Sequence, residues 1–206
     1  MAEGTRRRRL SRHDWTGEAL RALGEGGLPA VAIEPLAARL GATKGSGYWH
    51  FRNRDDLIAA TVERWEQAHT DAVIATVDLA PSHSTATATA HRATGALDRL
   101  RELLRVVLGR TGPFAVELAL LAAADHPLVA PTLARVTRRR IDYLAALFAE
   151  LGFDPVAAAR RARLAYTTYL GHAQLARTVP DAVPAGGQER RDYLDAVLAT
   201  LTAAPR

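Results

Sequence analysis

Apolar residues recur at three-and-four spacing along most of the chain, and runs that alternate apolar with polar are missing. That period belongs to the α-helix and predicts an all-α fold. Ser11 is placed to cap a first helix carrying Trp15, Ala19, Leu20 and Leu23, which Gly24, Gly26 and Gly27 end. Ile33, Leu36, Ala37 and Leu40 give the i, i+3, i+4, i+7 pattern of a short second helix, with Pro35 harmless in its first turn. Gly41 breaks that helix, and Thr43 is placed to cap a third running to about Phe51. Asn53 or Asp55 caps a long fourth helix through Leu57, Ile58, Thr61, Val62, Trp65 and Ala72. Residues 81–90 (PSHSTATATA) are small and low in complexity, the composition of a mobile loop.

Beyond it, Leu97, Leu100, Leu104, Val107 and Leu108 resume the helical pattern, and residues 109–113 break it. Residues 114–124 form a short apolar helix interrupted by Glu117, and Asp125-His126-Pro127 caps and turns the chain. A long helix then holds Leu133, Val136, Ile141, Leu144, Leu147, Phe148 and Leu151 and stops at Gly152. Asp154-Pro155 is a strong helix start, a capping residue followed by Pro at the first helical position. Leu164, Tyr166, Tyr169, Leu170 and Ala173 lie on that penultimate helix, and Leu194, Val197, Leu198 and Leu201 on a final one. About nine helices are expected.

Charge divides the chain more sharply than composition does. Residues 1–54 contain ten Lys or Arg and five Asp or Glu, whereas residues 55–206 contain seventeen of each. The whole excess of +5 therefore sits in the first quarter, which suggests a module facing a polyanion and a neutral remainder. Arg6–Arg9 supply four of the ten positive charges, either as a solvated tail or as a minor-groove or phosphate-contacting arm that orders on DNA. No apolar segment follows these arginines, so the chain reads as cytoplasmic. The absence of cysteine excludes a disulfide framework and a Cys-ligated metal site.

The second and third helices, Ile33–Leu40 and Thr43–Phe51, are joined by about two residues after a helix-stopping glycine. This is the layout of a helix-turn-helix, in which the second helix of the pair enters the major groove. The exposed start of that helix carries Thr43, Lys44 and Ser46, hydroxyls and an ammonium beside free backbone N–H groups. From Gly27 to Asp55 the spacing becomes specific: Gly27-Leu28, Leu36-Ala37-Ala38-Arg39-Leu40-Gly41, Tyr48-Trp49-His50-Phe51 and Asn53-Arg54-Asp55. Over about residues 10–60 the sequence resembles the DNA-binding domain of the TetR family of bacterial repressors.

The resemblance implies a helix-turn-helix DNA-binding domain at residues 1–54, with a basic arm at 1–10. Residues 55–206 would form a helical domain that binds an effector and builds a homodimer. It places Thr43, Lys44 and Ser46 nearest bases or flanking phosphates, Tyr48 and His50 on phosphates, and Arg54 on the DNA backbone. Phe51 would be core, and Trp49 would face either the groove or the phosphates. The implied function is an effector-released homodimeric repressor on a near-palindromic operator, with double-stranded DNA and a small molecule as partners. The alternative of a different class is an all-α ligand-binding or scaffolding protein that no longer binds DNA.

Three positions depart from the family pattern. Ala32 stands where a Ser or Thr usually caps the second helix, at a cost of about 1 kcal/mol. Glu34 brings a negative charge to a surface meant for phosphate. Gly47 replaces an apolar residue and, with Gly45, puts two glycines into one short helix, at about 1 kcal/mol each relative to alanine. Trp15 stands where the family more often has a smaller aliphatic residue. The indole is therefore expected to fill the volume vacated at Gly47.

Other chemistries find little support. No two of the seven histidines stand three or four apart, so no helical face offers a histidine pair to a metal, and no metal or cofactor is expected. Gly45-Ser46-Gly47 lacks the five-residue nucleophile elbow, and Gly24-Glu25-Gly26-Gly27 follows a helix rather than a strand, so no catalysis is expected. Tyr143, Phe148, Tyr166, Tyr169 and His172 are candidates to line an effector pocket. Arg138-Arg139-Arg140 reads as a solvated face. Tyr166, Leu170, Leu194, Val197, Leu198 and Leu201 are the candidate dimer interface, since no later helix follows to cover the final stripe.

Overall fold

The computed structural model describes residues 9–79, 88–109 and 114–203. Those residues form ten α-helical segments and no strand. In order they are α1 (Arg12–Gly26), α2 (Ile33–Arg39), α3 (Lys44–His50), α4 (Arg54–Glu66), α5 (Ala72–Asp78), α6 (Ala88–Leu108), α7 (Phe114–Ala122), α8 (Ala130–Glu150), α9 (Pro155–Thr178) and α10 (Gly187–Thr202). A π turn, Gln67–Asp71, joins α4 to α5, so the two are one rod and the count of helices is nine. Of the low-complexity stretch 81–90, residues 81–87 lie outside the described residues, and 88–90 already belong to α6 rather than to a loop.

Local chemistry sets the helix ends. Ser11 accepts from the backbone N–H of Asp14, and the Asp14 carboxylate accepts from the backbone N–H of Ser11, a reciprocal capping box. Thr43, Asn53 and Asp154 cap α3, α4 and α9 through side-chain oxygens. Ala32, at the start of α2, has no such bond, as its methyl group dictates. Between α2 and α3, Gly41 adopts φ 61°, which lets Ala42 N–H reach the Ala37 carbonyl at 2.8 Å and Gly41 N–H the Ala38 carbonyl at 3.2 Å. This glycine-terminated ending is what turns the chain sharply between the two helices.

Two hydrophobic cores result. The first gathers Trp15, Leu23, Leu36, Phe51, Leu57, Ile58 and Trp65 of the N-terminal helices, and also takes in Leu120, Leu133 and Val136 from α7 and α8. The second gathers Val77, Leu100, Leu104, Leu147, Phe148, Ala162, Leu198 and Leu201. Packing of α1 on α7 therefore fastens the N-terminal module to the rest of the chain.

Candidate nucleic-acid interface and ligand cavity

On α3 the exposed side chains are Thr43 at the cap, Lys44, Tyr48 and Trp49, with Ser46 half-buried. Tyr48 is 51% and Trp49 67% exposed, too open for either ring to serve the core. Arg9 lays its guanidinium over the Trp49 ring, 4.3 Å from the centroid, so the basic N-terminal segment meets α3. Arg6–Arg8 lie outside the described residues. Lys44 Nζ stands 3.6 Å from the Glu34 carboxylate, an exposed pair that mutes two charges at once.

Two expected contacts are also tied to the protein's own backbone. His50 Nε2 donates to the Leu10 carbonyl at 2.9 Å, and the His50 carbonyl accepts from Arg12. Arg54 donates through Nε to the Val31 carbonyl at 2.9 Å and through Nη2 to the Leu28 carbonyl at 2.8 Å. In this structure Arg54 braces the start of α4 against the turn before α2. Arg12 was missed by sequence reasoning. It crosses to Asp56 at 3.2 Å and lies over the Phe51 ring, its only sequence signal being its place just inside the first cap. The Arg52 backbone N–H first, and the Arg12 and Arg52 side chains after it, hold the Asp56 carboxyl below its ordinary range despite partial desolvation.

Behind α3, Trp15 is fully buried and fills the space at Gly47, as the family departure predicts. A Cβ at Gly47 would come within 2.8 Å of Trp15 Cη2 and 2.6 Å of Ile33 Cγ2, so no side chain fits there. Gly45 is different: a Cβ there meets only Thr43 Oγ1, at 3.8 Å. Outside this core, Glu18 of α1 pairs with Arg21 and with Arg39 of α2, and Arg39 also reaches Glu25 at 2.7 Å. Burial pushes the Glu18 carboxyl up, but the two arginines outweigh it and hold it below the ordinary value.

The second core is not filled. Residues of the π turn, α5, α6, α7, α8 and α9 line a cavity with about 750 Å³ of empty space including its open mouth. Its walls include Val73, Leu104, Phe114, Leu144 and the rings of Tyr143, Tyr166 and Tyr169. Phe148 and His172 stand apart from it, a correction to the sequence expectation. Phe148 packs on Phe153 in the filled part of the core, and His172 lies between Phe114 and Tyr193. Burial holds the His172 imidazole below its ordinary value.

Arg140 is the larger correction. It does not join a solvated face but turns into the cavity wall, where Nη1 meets Glu117 at 2.7 Å and Nε meets Thr70 Oγ1 at 3.0 Å. Its Nη2 reaches the His69 carbonyl at 3.3 Å, so it holds the π turn in two places. Glu117 is 1% exposed. The signal was in the sequence: Arg140 lies four residues from both Val136 and Leu144, on the apolar face of its helix, and Glu117 interrupts an otherwise apolar one.

Tyr166, Leu198 and Leu201, expected at a dimer interface, are buried inside the chain by α6, α8 and α9. Leu170, Leu194 and Val197 are half-buried on the same core. The apolar groups α9 leaves in the open are Val156, Leu164 and Leu175, with Val179 just past its end.

Residues 17–61 match the family model described as bacterial regulatory proteins, tetR family. The match is to the TetR family. The TetR fold extends through the rest of the chain. A transcriptional regulator from Rhodococcus sp. Rha1 is 20% identical with a TM-score of 0.69, covering 94% of this chain and 94% of that one. A candidate transcriptional regulator from Saccharomonospora viridis, in complex with choline, is 17% identical with a TM-score of 0.68, covering 92% of each chain. The multidrug binding protein EbrR complexed with malachite green is 23% identical with a TM-score of 0.62, covering 92% of this chain and 96% of that one. No curated protein matches the sequence. Among the described residues, no helix is long and apolar enough to cross a membrane, and no three acidic or histidine side chains gather as a metal site.

Proposed function

We propose that the chain is a cytoplasmic, non-enzymatic bacterial repressor that binds a near-palindromic operator as a homodimer and leaves it when a small molecule occupies the cavity lined by the π turn and α5 to α9. The observation that carries this reading is the open face of α3, with Thr43, Lys44, Tyr48, Trp49 and the stacked Arg9, on a domain matching the TetR family. Choline and malachite green in two structures of the same fold support a small organic effector. The exposed stripe of Val156, Leu164 and Leu175 supports a dimer through the outer face of α9.

The route between the two sites is short. Arg54 ties the start of α4 to the helix-turn-helix, while His69 and Thr70, past its far end, line the cavity. A ligand that binds more tightly with the π turn rearranged would tilt α4 and change the spacing of the paired reading helices. The test is to recover the DNA that the purified protein selects from random fragments and to titrate it with salt. With about 6–10 phosphates neutralised, raising salt from about 50 to about 200 mM should lose roughly 10³–10⁵ in affinity. Binding that ignores salt, or selection of no fragment, overturns the reading.

A further inference from the structure

The polar groups around the cavity are turned toward one another. Tyr143 donates its hydroxyl to Asp78 at 2.6 Å, and Tyr166 shares a 3.3 Å bond with Thr137. What the tyrosines present to the cavity is largely ring surface. Among the described residues the one strongly buried ion pair, Arg140–Glu117, is balanced in charge, and Arg140 carries further hydrogen bonds to Thr70 and the His69 carbonyl. Glu117 is thus not a naked anion waiting for a cation, and Arg140 is not a naked cation waiting for a carboxylate.

Resting on the effector reading above, we infer that the cavity takes a flat, predominantly apolar molecule without net charge, and that the Arg140–Glu117 pair sets this selectivity. An anion placed beside Arg140 must compete with Glu117 already at 2.7 Å, and a cation beside Glu117 must compete with Arg140. Either ion gives up its water without gaining an unmatched partner, the circumstance in which burying a charge is most costly. A neutral molecule escapes that cost. Arg140 has three of its five N–H groups engaged by Thr70, Glu117 and the His69 carbonyl, so it retains donors for one hydroxyl or carbonyl oxygen of the ligand. The rings of Phe114, Tyr143, Tyr166 and Tyr169 in the cavity wall favour a planar aromatic body that can lie against them.

The experiment uses one ring system with three ends: 2-naphthylmethanol, 2-naphthoate and 2-naphthylmethylammonium at pH 7. Calorimetry on the intact protein should rank the alcohol at least tenfold tighter than either ion. Glu117→Gln leaves Arg140 unmatched and should move 2-naphthoate to first place, and Arg140→Met should do the same for the ammonium. An ion that binds wild type as tightly as the alcohol overturns the inference, and so does a ranking that neither variant changes. Failure of all three probes to bind overturns it as well. If a variant does not fold, the wild-type ranking decides alone. Since calorimetry needs no DNA, failure to select an operator would remove the repressor reading while leaving the charge ranking to stand or fall separately.

Discussion

The two cores of this molecule meet where Arg140 of the cavity wall lies over the Trp65 ring, and they are packed in opposite ways. Behind the reading helix the indole of Trp15 and the side chain of Ile33 press on Gly47 so closely that a single carbon has no room. Beneath α8 and α9 there is a cavity walled by leucines and tyrosines. Surface polarity is also divided. Around α3, aromatic and cationic side chains stand in solvent, whereas around the cavity even a guanidinium and a carboxylate are drawn inside. A close-packed core transmits displacement without absorbing it, and an open one can change shape around a ligand. On the proposed function the first stands beside DNA and the second beside an effector.

The largest test of this contrast separates residues that look alike in sequence. Leu198→Arg forces a charge into the second core and should cost about 3–5 kcal/mol, read as loss of the folded subunit in a urea melt. Leu164→Arg touches only the exposed face of α9 and should leave the fold within about 0.5 kcal/mol while abolishing the dimer in sedimentation. A Leu164→Arg protein that still sediments as a dimer moves the interface elsewhere.

Next comes the closed core. Trp15→Ala should cost about 3–5 kcal/mol. Gly47→Ala should cost up to about 2 kcal/mol, the overpacking penalty of about 1–3 less the roughly 1 kcal/mol alanine adds to helix propensity. In the Trp15→Ala background the same methyl should cost clearly less. Additive costs would show that the ring and the glycine are not exchanging volume. The open core should behave in reverse. Ala165→Leu adds three carbons at the cavity and should change stability by less than about 1 kcal/mol, yet reduce ligand binding at least tenfold.

Two smaller effects sharpen the picture at the edges of the reading module. Ala32→Ser supplies the missing cap of α2 and should stabilise by about 1 kcal/mol in a thermal or urea melt. The Glu18–Arg39 seam should add an acid dependence of its own. The folded Glu18 carboxyl lies below its ordinary value of 4.5, so its stabilisation is complete above that pH and fades as pH falls through the lower folded value. Glu18→Gln should flatten the stability profile in that acid window and leave its slope at neutral pH unchanged.

Much of this was legible from residues alone, and the reason differs from case to case. The caps at Ser11, Thr43 and Asn53 and the stop at Gly41 depend on groups within a few positions of one another, so sequence carries them directly. The Trp15–Gly47 exchange spans two helices, yet it could be anticipated because the family resemblance marks Gly47 as a usually apolar position facing the first helix and Trp15 as larger than usual. The inward turn of Arg140 was overlooked because three successive arginines read as solvent. Only the period of the helix distinguishes the third from the other two.

What the sequence determined by itself is the set of helices, the sharp turn between α2 and α3 and the charge of the module around them. These follow from spacing, capping and composition within short windows. Tertiary structure alone decided which apolar residues became core, which became cavity wall and which stayed outside. Leu198 and Leu164 are both leucines on late helices, and only the packing of α6 and α9 against one of them makes the difference. The same holds for Glu117 and Arg140, 23 positions apart in the chain, whose charges are tolerable in a core only because folding brings them within 2.7 Å. Burial is a property of pairs distant in sequence, and no local pattern contains it.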